Sequence, residues 1–158
     1  MNDVIKTLLY SYTTLEKVIE STDRLVYYKA LASYHDNTKT LGQIDEILRL
    51  NEYSSRINGI KELIDGLLAV LSDLEKQMIE YKYFHKTRLY DFDPNDRSYF
   101  RQQLKLEKKI EAKLAYLNPT EAWFMEKFGD IYFLRAKYFN IKKLAQTGKK
   151  NSKKERNI

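Results

Sequence analysis

The run Asp96-Arg97-Ser98-Tyr99-Phe100-Arg101-Gln102-Gln103-Leu104-Lys105 carries residue types that read nucleic acids. On a helix, Arg97, Arg101, Lys105 and Lys108 or Lys109 recur at near four-residue steps and form a basic stripe along one face. Arg pairs bidentately with guanine, Gln with adenine, and Lys with phosphate. A basic helix with Arg, Gln and Tyr in its first turns therefore has the chemistry of a major-groove recognition helix. Phe100, Leu104 and Ile110, with Leu114 and Leu117, lie mostly off the stripe and are expected to pack inward. The alternative reading is a solvated helix face laced with i,i+4 ion pairs, since Glu107 and Glu111 are interleaved with Lys108 to Lys113.

Other chemistries find little support. The chain has no Cys, which excludes disulfides, thiolate metal sites and a cysteine nucleophile. Its two histidines, His35 and His85, stand 50 positions apart, so a zinc site is not expected. No Gly-rich phosphate loop, nucleophile elbow or paired metal ligands are found. His85 beside Lys86 and Arg88 reads as a surface histidine, and Asp45-Glu46 as ordinary helix surface. The expectation is a binding protein, not an enzyme, with no cofactor and no metal. The longest uncharged stretch near the start, Thr7 to Leu15, is 9 residues. A membrane span needs about 20. No secretory pattern is present, and the expected location is the cytoplasm.

Charge divides the 158 residues unevenly. Residues 1–75 hold 8 basic and 12 acidic side chains, a net of −4, while 76–158 hold 20 basic and 10 acidic, a net of +10. Such asymmetry points to a polyanion-binding half beside a non-binding half. Fifteen of the 21 aromatics lie between 81 and 139. Phe124, Phe128, Tyr132 and Phe139 keep helical spacing, as do Tyr81 and Phe84, and are expected in helix–helix packing. Tyr83 and Tyr99 are the expected exceptions, and an exposed Trp123 would mark a partner surface.

The elements that must position the stripe are all helical. Val4, Ile5, Leu8, Leu9, Tyr12, Leu15, Val18 and Ile19 give a helical period, with a candidate break at Ser21-Thr22-Asp23 before Leu25, Val26, Tyr28, Leu31 and Tyr34. His35 to Lys39 reads as a polar loop. Leu41 to Leu71 is one helix or two, with Asn58-Gly59 the weak point. Ser72-Asp73-Leu74-Glu75 has capping-box spacing, predicting a helix from 73 to about Phe84. A short segment Thr87 to Phe92 follows, then a turn at Asp93-Pro94-Asn95-Asp96 whose Asn or Asp can cap the next helix. That helix runs to about Tyr116. Asn118-Pro119-Thr120-Glu121 reads as N-cap, Pro at N1 and Glu at N3 of a final helix reaching about 145. Three parts result: an acidic helical module (1–71), a basic helical domain (72–146) and a disordered basic tail (147–158).

The phrase Leu71-Ser72-Asp73-Leu74-Glu75-Lys76-Gln77-Met78-Ile79-Glu80-Tyr81-Lys82-Tyr83-Phe84, followed by Asp96-Arg97-Ser98-Tyr99-Phe100-Arg101, resembles region 4 of bacterial RNA polymerase sigma factors. More closely, it resembles phage late-gene transcription activators of the ArpU/RinA/LtrC kind. The resemblance covers roughly residues 68–117. It implies an all-α bundle with long N-terminal helices and a helix-turn-helix in the C-terminal half. It further implies that Arg97, Ser98, Tyr99, Arg101, Gln102 and Lys105 face DNA, with Lys108 and Lys109 continuing the basic face. Ser98 is expected on a phosphate or as a helix cap. The chain departs from the pattern at Tyr90, Phe92, Asp93 and Pro94, where a helix-turn-helix holds small residues and often Gly.

Two functions are therefore weighed. In the first, the chain is a DNA-binding transcriptional regulator whose partners are double-stranded DNA, RNA polymerase and a second copy of itself through 1–71. In the second, it is a helical adaptor or inhibitor that binds another regulator or the polymerase. The basic stripe favours the first and the departures at Tyr90 to Pro94 favour the second.

Overall fold

A chain rich in helix formers, with 2 Pro and 5 Gly among 158 residues, has few points at which helices must stop. The computed structural model describes residues 1–35, 40–85, 93 and 96–154, apart from the side chains of 34, 35, 40, 41 and 148–154. Among the described residues six α-helices run in order: α1 Asp3–His35, α2 Thr40–Ala69, α3 Asp73–Tyr83, α4 Arg97–Leu114, α5 Glu121–Phe128 and α6 Tyr132–Lys154. A single 3-10 turn, Ala115–Leu117, extends α4. No strand occurs among the described residues, so the protein is all-α. Nor is any helix among them long and apolar enough to cross a membrane.

The helices fall into two compact units, Tyr12–Ala69 and Met1–Ser11 with Val70–Ile158. Within Tyr12–Ala69, α1 and α2 form an antiparallel hairpin. Its rungs are the Tyr12 hydroxyl donating to Asp65 (2.5 Å), the Ser54 hydroxyl donating to Asp23 (2.9 Å), and the Lys29–Glu46 ion pair (2.8 Å). Leu15, Ile57, Ile60, Ile64 and Leu67 are its buried apolar side chains.

Neither weak point breaks a helix. The hydroxyls of Ser21 and Thr22 donate to the carbonyls of Lys17 (2.7 Å) and Val18 (2.8 Å), so their polar groups are satisfied inside α1. Around Asn58-Gly59, burial of Ile57 and Ile60 outweighs the roughly 1 kcal/mol helix penalty of glycine. The apolar pattern past Ser21-Thr22-Asp23 does not mark core, however, because Leu25, Tyr28 and Leu31 are exposed. The polar loop expected at His35 to Lys39 lies, past His35, outside the described residues, as does the Thr87 to Phe92 segment.

The larger unit packs Val4, Ile5, Leu8 and Leu9 of α1 with Met78, Ile79 and Tyr83 of α3, Tyr99, Leu106, Ile110 and Leu114 of α4, and Phe124, Ile131, Leu134 and Tyr138. The capping box opens α3. Ser72 Oγ accepts from the Glu75 amide (3.3 Å), and the Glu75 carboxylate accepts from the Ser72 amide (2.9 Å). Such a cap contributes about 1 kcal/mol.

The region after α4 differs from its expected form. Asn118 is not the N-cap but sits at φ 46°, in the left-handed region that asparagine tolerates, and ends the 3-10 turn. Thr120 caps α5 two residues later, accepting from the Trp123 amide (3.2 Å). The expected single final helix is broken at Gly129-Asp130, where a Cβ on Gly129 would collide with the Met125 carbonyl oxygen. The break resets the helical phase. Ile131, Leu134 and Tyr138 become the buried face, while Tyr132 and Phe139, expected inward by spacing from Phe124, are 75 % and 50 % exposed. The helical backbone of α6 reaches Lys154, and the last four residues of the tail expected to be disordered, 155–158, lie outside the described residues.

Candidate nucleic-acid interface

The basic stripe sits on α4, whose start is set by Asp96. Its carboxylate accepts from the Ser98 amide (3.2 Å), so Asp96 and not Ser98 is the cap. The helix buries Tyr99, Gln103, Leu106, Glu107, Ile110 and Leu114. Tyr99, Gln103, Leu106, Ile110 and Leu114 span about 80° of the helix circumference. Arg97, Arg101, Lys105, Lys108 and Lys109 are all exposed and occupy an arc of about 120° centred almost opposite. Exposed Ser98 and half-buried Gln102 lie within or beside the same arc.

Three expectations change here. Tyr99, expected to face DNA, is 5 % exposed and packs edge-on against Tyr81 at 6.2 Å. Phe100 and Leu104, expected inward, are 57 % and 61 % exposed and border the stripe on the Arg97 side. The cause is one of phase: the buried set starts at Tyr99 and repeats through Gln103, Leu106 and Ile110, which turns position 100 outward. Tyr83, the other expected aromatic exception, is 1 % exposed and meets Tyr10 edge-on at 4.8 Å.

The acids of α4 do not pair with its own lysines. Glu107 turns inward, where it accepts from Lys82 Nζ (2.6 Å) and the Tyr83 hydroxyl (3.1 Å), with the Met1 ammonium at 3.6 Å. Burial pushes the Glu107 carboxyl up, but Lys82 and Tyr83 outweigh it and hold the group below the usual carboxylate range. Burial and the neighbouring Glu107 push the Tyr83 hydroxyl well above the usual phenol range. Glu111 accepts from the Asn2 amide at 2.5 Å. Lys109 is drawn sideways onto the Glu75 carboxylate (2.7 Å). Arg97, Arg101, Lys105 and Lys108 are left with no ion pair among the described residues. The face they share is a ridge of unneutralised positive charge, which attracts phosphate.

Gln103 is a residue that the sequence reading placed on no surface. Its side chain is buried, and neither amide atom has a hydrogen-bond partner among the described residues. Nothing in local spacing marks it, because its neighbour Gln102 has the same type one step round the helix. A buried unsatisfied amide is costly. Gln103→Leu is therefore expected to raise stability by about 1 kcal/mol. Urea denaturation checks this, and a loss of stability would show that the amide is satisfied.

No cluster of His, Asp or Glu suited to a metal ion occurs among the described residues. No family model, curated protein or solved structure matches the chain.

Proposed function

We propose that this chain is a DNA-binding transcriptional regulator of the late-gene activator kind, working in the cytoplasm of the cell that hosts it. Its helix-turn-helix-like domain, 72–146, presents α4 to promoter DNA. The observation that carries the reading is the exposure, without ion-pair partners among the described residues, of Arg97, Arg101, Lys105 and Lys108 on one face. Arg97, Arg101 and Gln102 lie in the first turns, where a recognition helix meets base edges, and Lys105, Lys108 and Lys109 follow where phosphate contacts fix register. Tyr99 has a different role from the one its resemblance implies: it anchors α4 to α3. The exposed Leu25, Tyr27, Tyr28 and Leu31 of α1 and Ile44 and Leu48 of α2 supply apolar surface for self-association or contact with RNA polymerase.

Fluorescence anisotropy with labelled duplex DNA at low salt tests the reading. Arg97→Ala/Arg101→Ala is expected to weaken binding by about tenfold to a hundredfold. Lys108→Ala is expected to weaken it uniformly across sequences and to reduce the salt slope by about 0.9. Undiminished binding by the double variant removes α4 as the contact.

One observation favours the adaptor reading. Phe100 and Leu104 beside Arg97 and Arg101 give a mixed aromatic, aliphatic and arginine surface of the kind enriched in protein interfaces. Pull-down after nuclease treatment separates the two, since partners bridged by DNA disappear and direct partners persist.

A further inference from the structure

A cavity of about 610 Å³ opens in the larger unit, away from the outer face of α4. Its walls come from α1 (Lys6, Tyr10), the end of α3 (Lys82, His85), Glu107 of α4, and α6 (Lys137, Asn140, Ile141, Leu144, Ala145). The size falls within the range of small-molecule sites. The lining combines apolar surface, from Ile141, Leu144 and the Tyr10 ring, with three lysines and one histidine.

The charge of the lining is not balanced. It holds three lysines and one carboxylate, Glu107, which already serves Lys82, the Tyr83 hydroxyl and the Met1 ammonium. Lys6 has a loose contact with Asp3 at 3.5 Å. Lys137 donates only to a main-chain carbonyl, that of Tyr10 (2.8 Å), and has no carboxylate partner among the described residues. Elsewhere in the same unit, Lys109 and Lys142 sit on carboxylates at 2.7 and 2.6 Å. Burial lowers the Lys137 ammonium from its ordinary value, as expected for a cation short of a counter-ion. His85 adds a second unusual feature. Its φ of 55° is left-handed, a conformation unfavourable for a non-glycine residue. In that conformation its ring stacks on Tyr10, centroids 6.0 Å apart, at the cavity wall.

We propose that this cavity binds a small organic anion, its phosphate or carboxylate head held by Lys6, Lys82 and Lys137 and its apolar body lying against Tyr10, Ile141 and Leu144. The head supplies the charge that Lys137 lacks, and charge-assisted bonds of this kind are the strong ones. The apolar part of the lining requires a body as well as a head. The site is independent of DNA binding, and its test does not involve DNA.

Isothermal titration of the full chain uses four probes: phenyl phosphate, phenylacetate, inorganic phosphate and benzyl alcohol. The expected result is saturable one-to-one binding of phenyl phosphate, phenylacetate or both, at least about tenfold tighter than the head or the body alone. Which head binds better decides between a phosphate and a carboxylate ligand. Lys137→Gln and Lys6→Gln are each expected to weaken binding about tenfold, while Lys108→Gln on the outer face leaves it unchanged. Thermal unfolding of each variant establishes that it is folded, and Lys6→Gln, altering a more peripheral side chain, stands in if Lys137→Gln is not. Absence of saturable binding by both aromatic anions overturns the proposal. So does equal affinity in folded Lys137→Gln and Lys6→Gln, which would place the binding elsewhere.

Discussion

Phe124→Ala is expected to lower the stability of the larger unit by about 3–5 kcal/mol, measured by urea denaturation. Phe124 is 0 % exposed. Its ring lies against Tyr138 of α6 at 5.0 Å and 29°, and against Phe128 at 5.9 Å. Truncation leaves a cavity that its neighbours fill only in part. The local context sharpens the effect. α5 is an 8-residue helix, too short to persist without packing, and Phe124 is its buried residue. Its loss therefore also frees the segment that joins α4 to α6. Domains of this size are stable by about 5–15 kcal/mol, so the variant loses a substantial share. Phe139→Ala is the comparison. Phe139 follows Tyr138 directly but is 50 % exposed, and its removal is expected to cost about 1 kcal/mol or less. Equal effects for the two would contradict the phase reset at Gly129-Asp130.

Glu107→Ala is expected to cost about 3 kcal/mol at neutral pH, because it leaves Lys82 and the Met1 ammonium beside the buried Tyr83 hydroxyl with no anion between them. The Glu107 side chain is only 12 % exposed, so solvent screens the loss weakly. The same carboxylate sets a pH dependence. Its folded pKa lies below the ordinary 4.5, since Lys82 and Tyr83 together outweigh the opposing effect of burial. A depressed carboxyl contributes stability that is fully present above its unfolded pKa and is lost as pH falls through its folded pKa. The loss therefore occurs below about pH 4.5. Glu75, held low by Lys109 and the Ser72 amide against the effect of burial, acts in the same window. The readout is accordingly the difference between chains. The parent protein is expected to lose more stability between neutral and acid pH than Glu107→Ala, so that their stabilities converge at low pH. Parallel pH profiles would show that Glu107 is not ionised and bonded as described.

Much of the helical order was legible in local spacing. The capping box at Ser72 and Glu75 needs only four residues, and it opens α3 as expected. Of the apolar stripe Ile57, Ile60, Leu63, Ile64, Leu67, Leu68 and Leu71, five members are buried as the period implies, while Leu63 and Leu68 are half-buried. The Asp93–Asp96 stretch was expected to supply a cap for α4, and Asp96 does so. Helix ends governed by backbone conformation were less legible. Asn118 as N-cap and Asn118 as a left-handed terminator have the same sequence signature, and the choice rests on where the chain must go next.

Residue types and their order determined by themselves that the chain is helical, where its charge lies, and that Arg97, Arg101, Lys105 and Lys108 share one face of one helix. These are properties of periods of about four residues, which a sequence displays directly. Tertiary structure alone decided which way each face turns. It buried Tyr99 and exposed Phe100, one step apart, because the packing of α4 against α3 and the start of α1 selects the phase. It also brought Lys6, Lys82 and Lys137 to the lining of one cavity. Those three lysines come from helices far apart in the chain. No local period links them, and only the packing of the helices brings their charges together.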